Sequence, residues 1–283
     1  NTTVGDFAIS GEYVYRPNLP VQIQSTDLVF ALLQPGFPSA DYSIGAATLP
    51  GRRTAVPDFV GEYRNPGCTP NCFAPGQYIR GYEQLGVGQA GLTLLKTIGG
   101  ENPLNATQIT LLLEMGHTHF FKFPGLDQLQ FNGAGTDTHI SAGIDGSAGI
   151  NPVDVRSNPN DPTTNGTTAS LRQNPRSYAQ IDRGAFGTAD SYGYRLVTLT
   201  RFDSALLGAN LEFLNGFFHD VGGIGPGLGQ NFVEGRRQVL SGVRFDYLAR
   251  FIGELRYTWF TGGGTRDALR DRDNVMLWLG YQF

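Results

Sequence analysis

Apolar and polar residues alternate over the last eleven positions, Asp273–Phe283. Val275, Leu277, Leu279, Tyr281 and Phe283 share one parity, and Asn274, Met276, Trp278, Gly280 and Gln282 share the other. A period of two marks a β-strand with one greasy side. The same alternation recurs upstream. In 253–262 Leu255, Tyr257 and Trp259 oppose Glu254, Arg256 and Thr258, and in 237–248 Val239, Val243, Phe245 and Tyr247 oppose Gln238, Gly242, Arg244 and Asp246. Segment 107–120 sets Ile109, Leu111, Leu113 and Met115 against Gln108, Thr110, Glu114 and Thr118. Segments 6–17, 88–98, 191–202 and 210–220 complete a set of eight predicted strands, although Leu214 and Phe218 fall on the wrong parity of the last. Each has about the nine to eleven residues that a tilted strand needs to cross a hydrocarbon layer.

The connections between these strands run long, short, long, short, long, short, long, at about 18–87, 121–190, 222–236 and 262–273 for the long ones. A soluble sandwich has no reason to gather its long loops at one end, whereas an outer-membrane barrel keeps short turns in the periplasm and long loops outside. The pattern predicts one domain over 1–283: an all-β, antiparallel transmembrane barrel of about eight strands, alone or as part of a larger barrel. The last strand then runs inward, leaving the C-terminus periplasmic, and the sheet is expected to close on its first strand so that no backbone group is left bare in lipid.

Composition agrees with many turns and much β structure, with 39 Gly, 19 Phe and 12 Tyr. Mean hydropathy is −0.20, and no apolar run approaches the ~18 residues of a membrane helix. A net charge of −4, with no basic run, argues against a nucleic-acid partner. Lys96 and Lys122 are the only lysines among 21 basic residues, a bias that suits paired charges. Cys68 and Cys72, in "NPGCTPNCFAPG", read as a loop closed by a small disulfide in an oxidising compartment, with free thiols the alternative. The chain starts at Asn1 without a leader and reads as a processed chain or a fragment.

Four stretches, "EYVYRPNLPVQI", "YIRGYEQLGVGQAGLT", "NFVEGRRQVLSGVRFDY" and "ELRYTWFTGGGTRDALRDRDNVMLWLGYQF", resemble an uncharacterised proteobacterial outer-membrane family, a domain of unknown function common in pseudomonads. The resemblance is strongest over the last sixty or so residues and is to the C-terminal portion of such proteins. It implies a β-barrel, brings no catalytic residue, and through neighbouring lipid-handling genes hints at hydrophobic cargo. The final Tyr281-x-Phe283 resembles the C-terminal signal read by the outer-membrane assembly machinery.

Candidate chemistry concentrates on the polar parity. Glu12, Arg16, Glu114, Arg195, Arg201, Glu212, Arg244, Asp246, Glu254 and Arg256 all point into the predicted lumen. There they form an ion-pair plug if eight strands close the barrel, or line a channel if it is larger. His117 and His119 share the opposite parity; i, i+2 histidines can grip a metal, but an interfacial girdle is the expectation. Asp267, Asp271 and Asp273 are weak Ca²⁺ candidates, interleaved with Arg266, Arg270 and Arg272, so a self-neutralising loop is expected. The stretch 157–168 has a faint Ca²⁺-loop look without the closing Glu. In the first long loop, Ser25 or Thr26 is expected to cap a helix from about Asp27 to Gln34, stopped by Pro35-Gly36 and folded into the barrel mouth or lumen.

Hydrolase, zinc-protease and phosphate-loop motifs are absent from the sequence. Ser204 has no nearby His, and a Ser241–histidine pair on the outer wall is the one enzyme-like arrangement to weigh. The sequence therefore predicts no catalytic residue, cofactor or resident metal. The expected function is passive passage or uptake of small hydrophobic molecules. The alternative is a plugged barrel that docks a partner protein through its loops. Expected partners are outer-membrane lipid and lipopolysaccharide, the assembly machinery, and another chain or a missing N-terminal half.

Overall fold

The computed structural model describes residues 1–36, 42–45, 47–49, 59–68, 72–125, 128–134, 186–227 and 232–283. Its frame is one antiparallel sheet of nine strands laid down in chain order: β1 (Thr2–Val4), β2 (Phe7–Gln22), β5 (Tyr82–Ile98), β6 (Gln108–Phe121), β7 (Asp190–Leu206), β8 (Ala209–Gly222), β9 (Arg237–Tyr247), β10 (Phe251–Thr261) and β11 (Asn274–Tyr281). The loop after β2 carries α1 (Ser25–Leu33), a small hairpin of β3 (Tyr42–Ile44) and β4 (Ala47–Leu49), and α2 (Phe59–Arg64). Eight long strands were expected and eight are present, joined by the three-residue β1.

Loop asymmetry follows the expected order. Long connections, 23–81, 122–189, 223–236 and 262–273, leave one end of the sheet, while 5–6, 99–107, 207–208 and 248–250 turn at the other. Leu207 (φ 53°) and Gly208 (φ 85°) form a two-residue hairpin with both central residues left-handed, the twist that antiparallel strands accept most readily. The strand predicted over 6–17 runs on to Gln22. Its Pro17 falls where the register shifts between Arg16 and Leu19, a bulge where a missing N–H donor costs least, and Pro20, opposite Gln84, lies on a strand whose other edge is free there.

Closure on the first strand is corrected by the structure. β1 takes the edge of β2 only over Phe7–Ile9, and no pairing joins β11 to β1 or β2 among the described residues. The sheet is open, with one edge along most of β2 and one along β11.

Directly opposed residues lie on one side of a sheet, so the pairing fixes both faces. The first face carries Leu94–Leu113–Leu196–Phe217–Val239–Trp259 in one row across six strands. In the same direction the other face carries Arg201–Glu212–Arg244–Glu254 across β7 to β10. Leu214 and Phe218, the residues of wrong parity, sit on this charged face, opposite Leu199 and Arg195.

The main buried core lies on the charged face, at the long-loop end of β2, β5 and β6. Leu85, Val87 and Phe120 from the strands meet Ile23, Ala31 of α1, Val60 of α2, Leu129 and Phe131. Backbone bonds stitch this cap to the sheet: Ile23 N–H donates to Gly81 O (3.0 Å), Gln24 N–H to Gln130 O (2.9 Å) and Asn132 N–H to Gln22 O (3.2 Å). Arg64 and Arg80 both grip Glu83, each at 2.6 Å, which pins α2 to the start of β5. Helix α1 begins at Ser25, two residues earlier than expected. Its cap is Gln24, whose side-chain oxygen takes the Asp27 N–H (2.9 Å) while its carbonyl takes that of Leu28 (3.3 Å). Leu28 and Ala31 turn into the core, leaving Val29, Leu32 and Leu33 exposed beside it.

Candidate functional site

All ten charged residues predicted for one face are on one face, but they do not act as one group. Glu12, Arg16, Glu114 and Arg195 line a cavity of about 600 Å³ against β2, β5, β6 and β7. Arg201, Glu212, Arg244 and Asp246 line a smaller one of about 220 Å³ near the short turns. Glu254 and Arg256 lie outside both, paired with each other at 3.6 Å, and Arg256 also donates to Met276 Sδ (3.1 Å).

Cross-strand register sets Glu114 opposite Arg195 and Glu212 opposite both Arg201 and Arg244. In this open sheet these register partners are not ion-paired with one another. Arg201 turns to Asp203 (2.8 Å), Arg195 lies 5.9 Å from the Phe218 ring centre, and Asp246 accepts the Ala249 N–H (3.0 Å). Among the described residues no ion pair joins Glu12, Arg16, Glu114, Arg195, Glu212 and Arg244. Charges left apart in this way need water or a ligand around them.

The floor of the larger cavity is bare backbone. Gly91, Gly116 and Gly193 are directly opposed on β5, β6 and β7. Phe232 from the β8–β9 loop lies over two of them: a Cβ on Gly116 would come within 3.3 Å of its Cζ, and one on Gly193 within 3.2 Å of its Cε1, whereas one on Gly91 would meet the Glu12 side chain at 3.3 Å. Glycine in a strand often marks such a close approach. Asp220, at the end of β8, holds the loop in this position by accepting from Arg236 (2.7 Å) and from the Val233 N–H (2.9 Å). Sequence reasoning missed Phe232, Asp220 and the glycine row. The glycines were visible one at a time, but only the pairing register aligns them.

On the apolar face His117 Nε2 and His119 Nδ1 both meet Asp190 Oδ1, at 3.0 and 2.8 Å. His119 and Asp190 are register partners, although about seventy residues separate them in the chain. Aromatic rings surround the group, with Tyr192 beside His117 and Phe121 beside His119. Ser241 instead donates to Asn215 Oδ1 (2.8 Å), so its hydroxyl and the two imidazoles have separate partners.

Cys68 and Cys72 form the expected disulfide, with Cα atoms 4.8 Å apart, and Glu62 closes the same turn by accepting the Gly67 N–H (2.7 Å). The Asp267, Asp271 and Asp273 trio is not gathered. Asp267 is buried and accepts the Leu269 N–H (3.0 Å), whereas Asp273 accepts the Phe260 N–H (2.8 Å) and the Tyr257 hydroxyl (3.2 Å). Arg270 donates to the carbonyls of Gly264 and Asp267 rather than to a carboxylate. Tyr281 and Phe283 stay on the apolar face, exposed, with their ring centres 5.8 Å apart. The stretch 157–168 lies outside the described residues. No helix among the described residues is long and apolar enough to cross a membrane.

A model of a family described as "Protein of unknown function (DUF1302)" matches residues 1–283, and the chain belongs to that family. No curated protein and no solved structure matches the chain.

Proposed function

We propose that this DUF1302 member is the wall of a β-barrel in the outer membrane of a Gram-negative bacterium, through which small molecules pass passively. Its apolar face meets lipid, its charged face lines the passage, and its C-terminus is periplasmic. The observation that carries the reading is the register: across eight long strands one face is largely apolar and, among the described residues, uncovered, while the other holds the ten charged residues and the two cavities that eight of them line. Tyr13 at 64%, Leu277 at 66% and Leu279 at 66% exposure are far from isolated surface residues, since they belong to one continuous face.

Ring positions support a bilayer. Tyr13, Tyr15, Tyr192 and Trp259 lie towards the long-loop end of the apolar face, and Phe7, Phe251 and Tyr281 towards the short-turn end, as interfacial girdles do. The rim at the long loops is then the side that meets lipopolysaccharide, and the exposed Tyr281 and Phe283 are what the assembly machinery reads. The free edges of β2 and β11 must also be paired in hydrocarbon, with each other or with further strands, because each unmade backbone bond there costs several kcal/mol.

The exposed Val29, Leu32 and Leu33 of α1 suit an apolar part of the cargo at the mouth. The same residues favour the second reading, a docking barrel whose cap holds a partner protein. Planar-bilayer recording separates the two. Stepwise conductance, with swelling of vesicles in small solutes, is expected for the passage; a bilayer-inserted protein with neither supports docking.

A further inference from the structure

We propose that the glycine-floored cavity is a binding station for small zwitterionic molecules with an aromatic or apolar body, and that Phe232 is the ring they must pass. The inference rests on the passage reading and gives its cargo a chemical class. Three opposed glycines leave a strip of inner wall without side chains, which strands tolerate poorly unless something packs there. Phe232 packs there, and it is mounted rather than loosely draped. Its carbonyl accepts the Gly225 N–H (3.1 Å), its neighbour Val233 is bound to Asp220, and Gly235 N–H donates to Asp220 O (2.8 Å). Glu234 adds a clamp on the Gly223 N–H (3.1 Å). The ring therefore narrows the cavity from a fixed bracket.

Charge around the floor is balanced and separated. Glu12 stands at the β2 end of the glycine row, opposite Gly91, and Glu114 lies one row nearer the short turns, opposite Arg195. Arg16 lies on the long-loop side, beyond Val14. Three carboxylates and two guanidinium groups share the lining; Asp220 is paired with Arg236, and no ion pair joins the other four, Glu12, Glu114, Arg16 and Arg195. An anion meets attraction from the arginines and repulsion from the glutamates, and a cation meets the reverse. A molecule carrying both signs satisfies both kinds of group, and the Phe232 ring and Val14 receive its apolar part. At about 600 Å³ the cavity is of the size that small-molecule sites occupy.

The test uses three probes with the same phenyl body: phenylalanine (zwitterion), phenylacetate (anion) and phenethylamine (cation). Calorimetric titration of the refolded protein in detergent is expected to show phenylalanine binding at least about tenfold more tightly than either singly charged probe. Glu114→Gln, and independently Glu12→Gln, should cut phenylalanine affinity several-fold while leaving phenylacetate equal or better. Arg195→Gln should do the converse. Equal binding of the three probes, or a phenylalanine affinity unchanged in folded Glu12→Gln and Glu114→Gln proteins, overturns the station. Vesicle flux then addresses the ring: Phe232→Ala should raise the flux of all three probes without changing their order, and unchanged flux overturns its role as the constriction. A wild-type protein and Phe232→Ala variant that both pass no solute, while calorimetry keeps the ranking, would sink the passage reading and leave the site standing.

Discussion

The two faces of the sheet share every backbone atom and differ in what covers them. At the long-loop end of β2, β5 and β6 the charged face, the inner one of the proposed barrel, is covered by the protein itself, so Val87, Phe120 and Leu85 are buried beneath α1, α2 and the 129–132 strip. On β10 and β11 nothing comparable among the described residues lies over that face, and Trp278 is half-exposed. The outer face does not follow this division. Tyr13 and Leu92 under the capped region are exposed, as are Leu255, Val275 and Leu277 in the uncapped one. Among the described residues, covering by loops is thus a local event on one side, whereas most of the other side is bare. An apolar surface of that extent calls for a partner outside the chain, and the proposal makes that partner a hydrocarbon layer.

Each of several changes separates the faces. The largest effect is expected inside the cap: Phe131→Ala empties a fully buried position and should cost about 3–5 kcal/mol of cap stability, read as proteolytic release of 23–81 while the strands stay protected. Leu113→Arg on the outer face should cost about 2–4 kcal/mol when unfolding is measured from vesicles. The inner-face Thr110→Arg on the same strand should change stability by only about 0.5 kcal/mol; equal costs would erase the distinction between faces. Replacing Cys68 and Cys72 by serine opens a loop of sequence separation 4. Chain entropy puts that at about 2 kcal/mol, confined to the cap, which differential protection against hydrogen exchange would register.

The smallest effect is one of pH. Burial, aided by the nearby Glu83 carboxylate and opposed by Arg64, raises the Tyr63 hydroxyl above its ordinary value of 10.0. The fold therefore favours the neutral phenol. Its contribution is complete below the unfolded value and is lost as pH rises through the folded one. Protection of the cap should weaken above pH ~10, and Tyr63→Phe should remove that dependence.

Much of this arrangement was legible in the sequence. Period-two alternation placed all eight long strands and the parity of all ten charges, because side-chain direction in a strand depends on sequence position alone. Loop lengths gave the two ends for the same reason. Long-range pairing was not legible. Asp190 meets His117 and His119, and Phe232 covers Gly116 and Gly193, only because strands far apart in the chain align in a register no local pattern encodes. The helix cap was misplaced because Gln24 is not a usual capping residue; its position is set by backbone bonds to the Gln130 segment. Closure was over-read, since alternation specifies which side is greasy but not where the last strand finds its neighbour.

The most direct test is a pair of spin-label scans on protein reconstituted in bilayers, one through Leu94, Leu113, Leu255 and Leu277, the other through Thr93, Thr110, Glu254 and Arg244. The account predicts that the first set is relaxed by oxygen dissolved in hydrocarbon and the second by a water-soluble nickel chelate. Water-like relaxation at both sets, or a protein that remains dispersed in buffer without detergent, would contradict it.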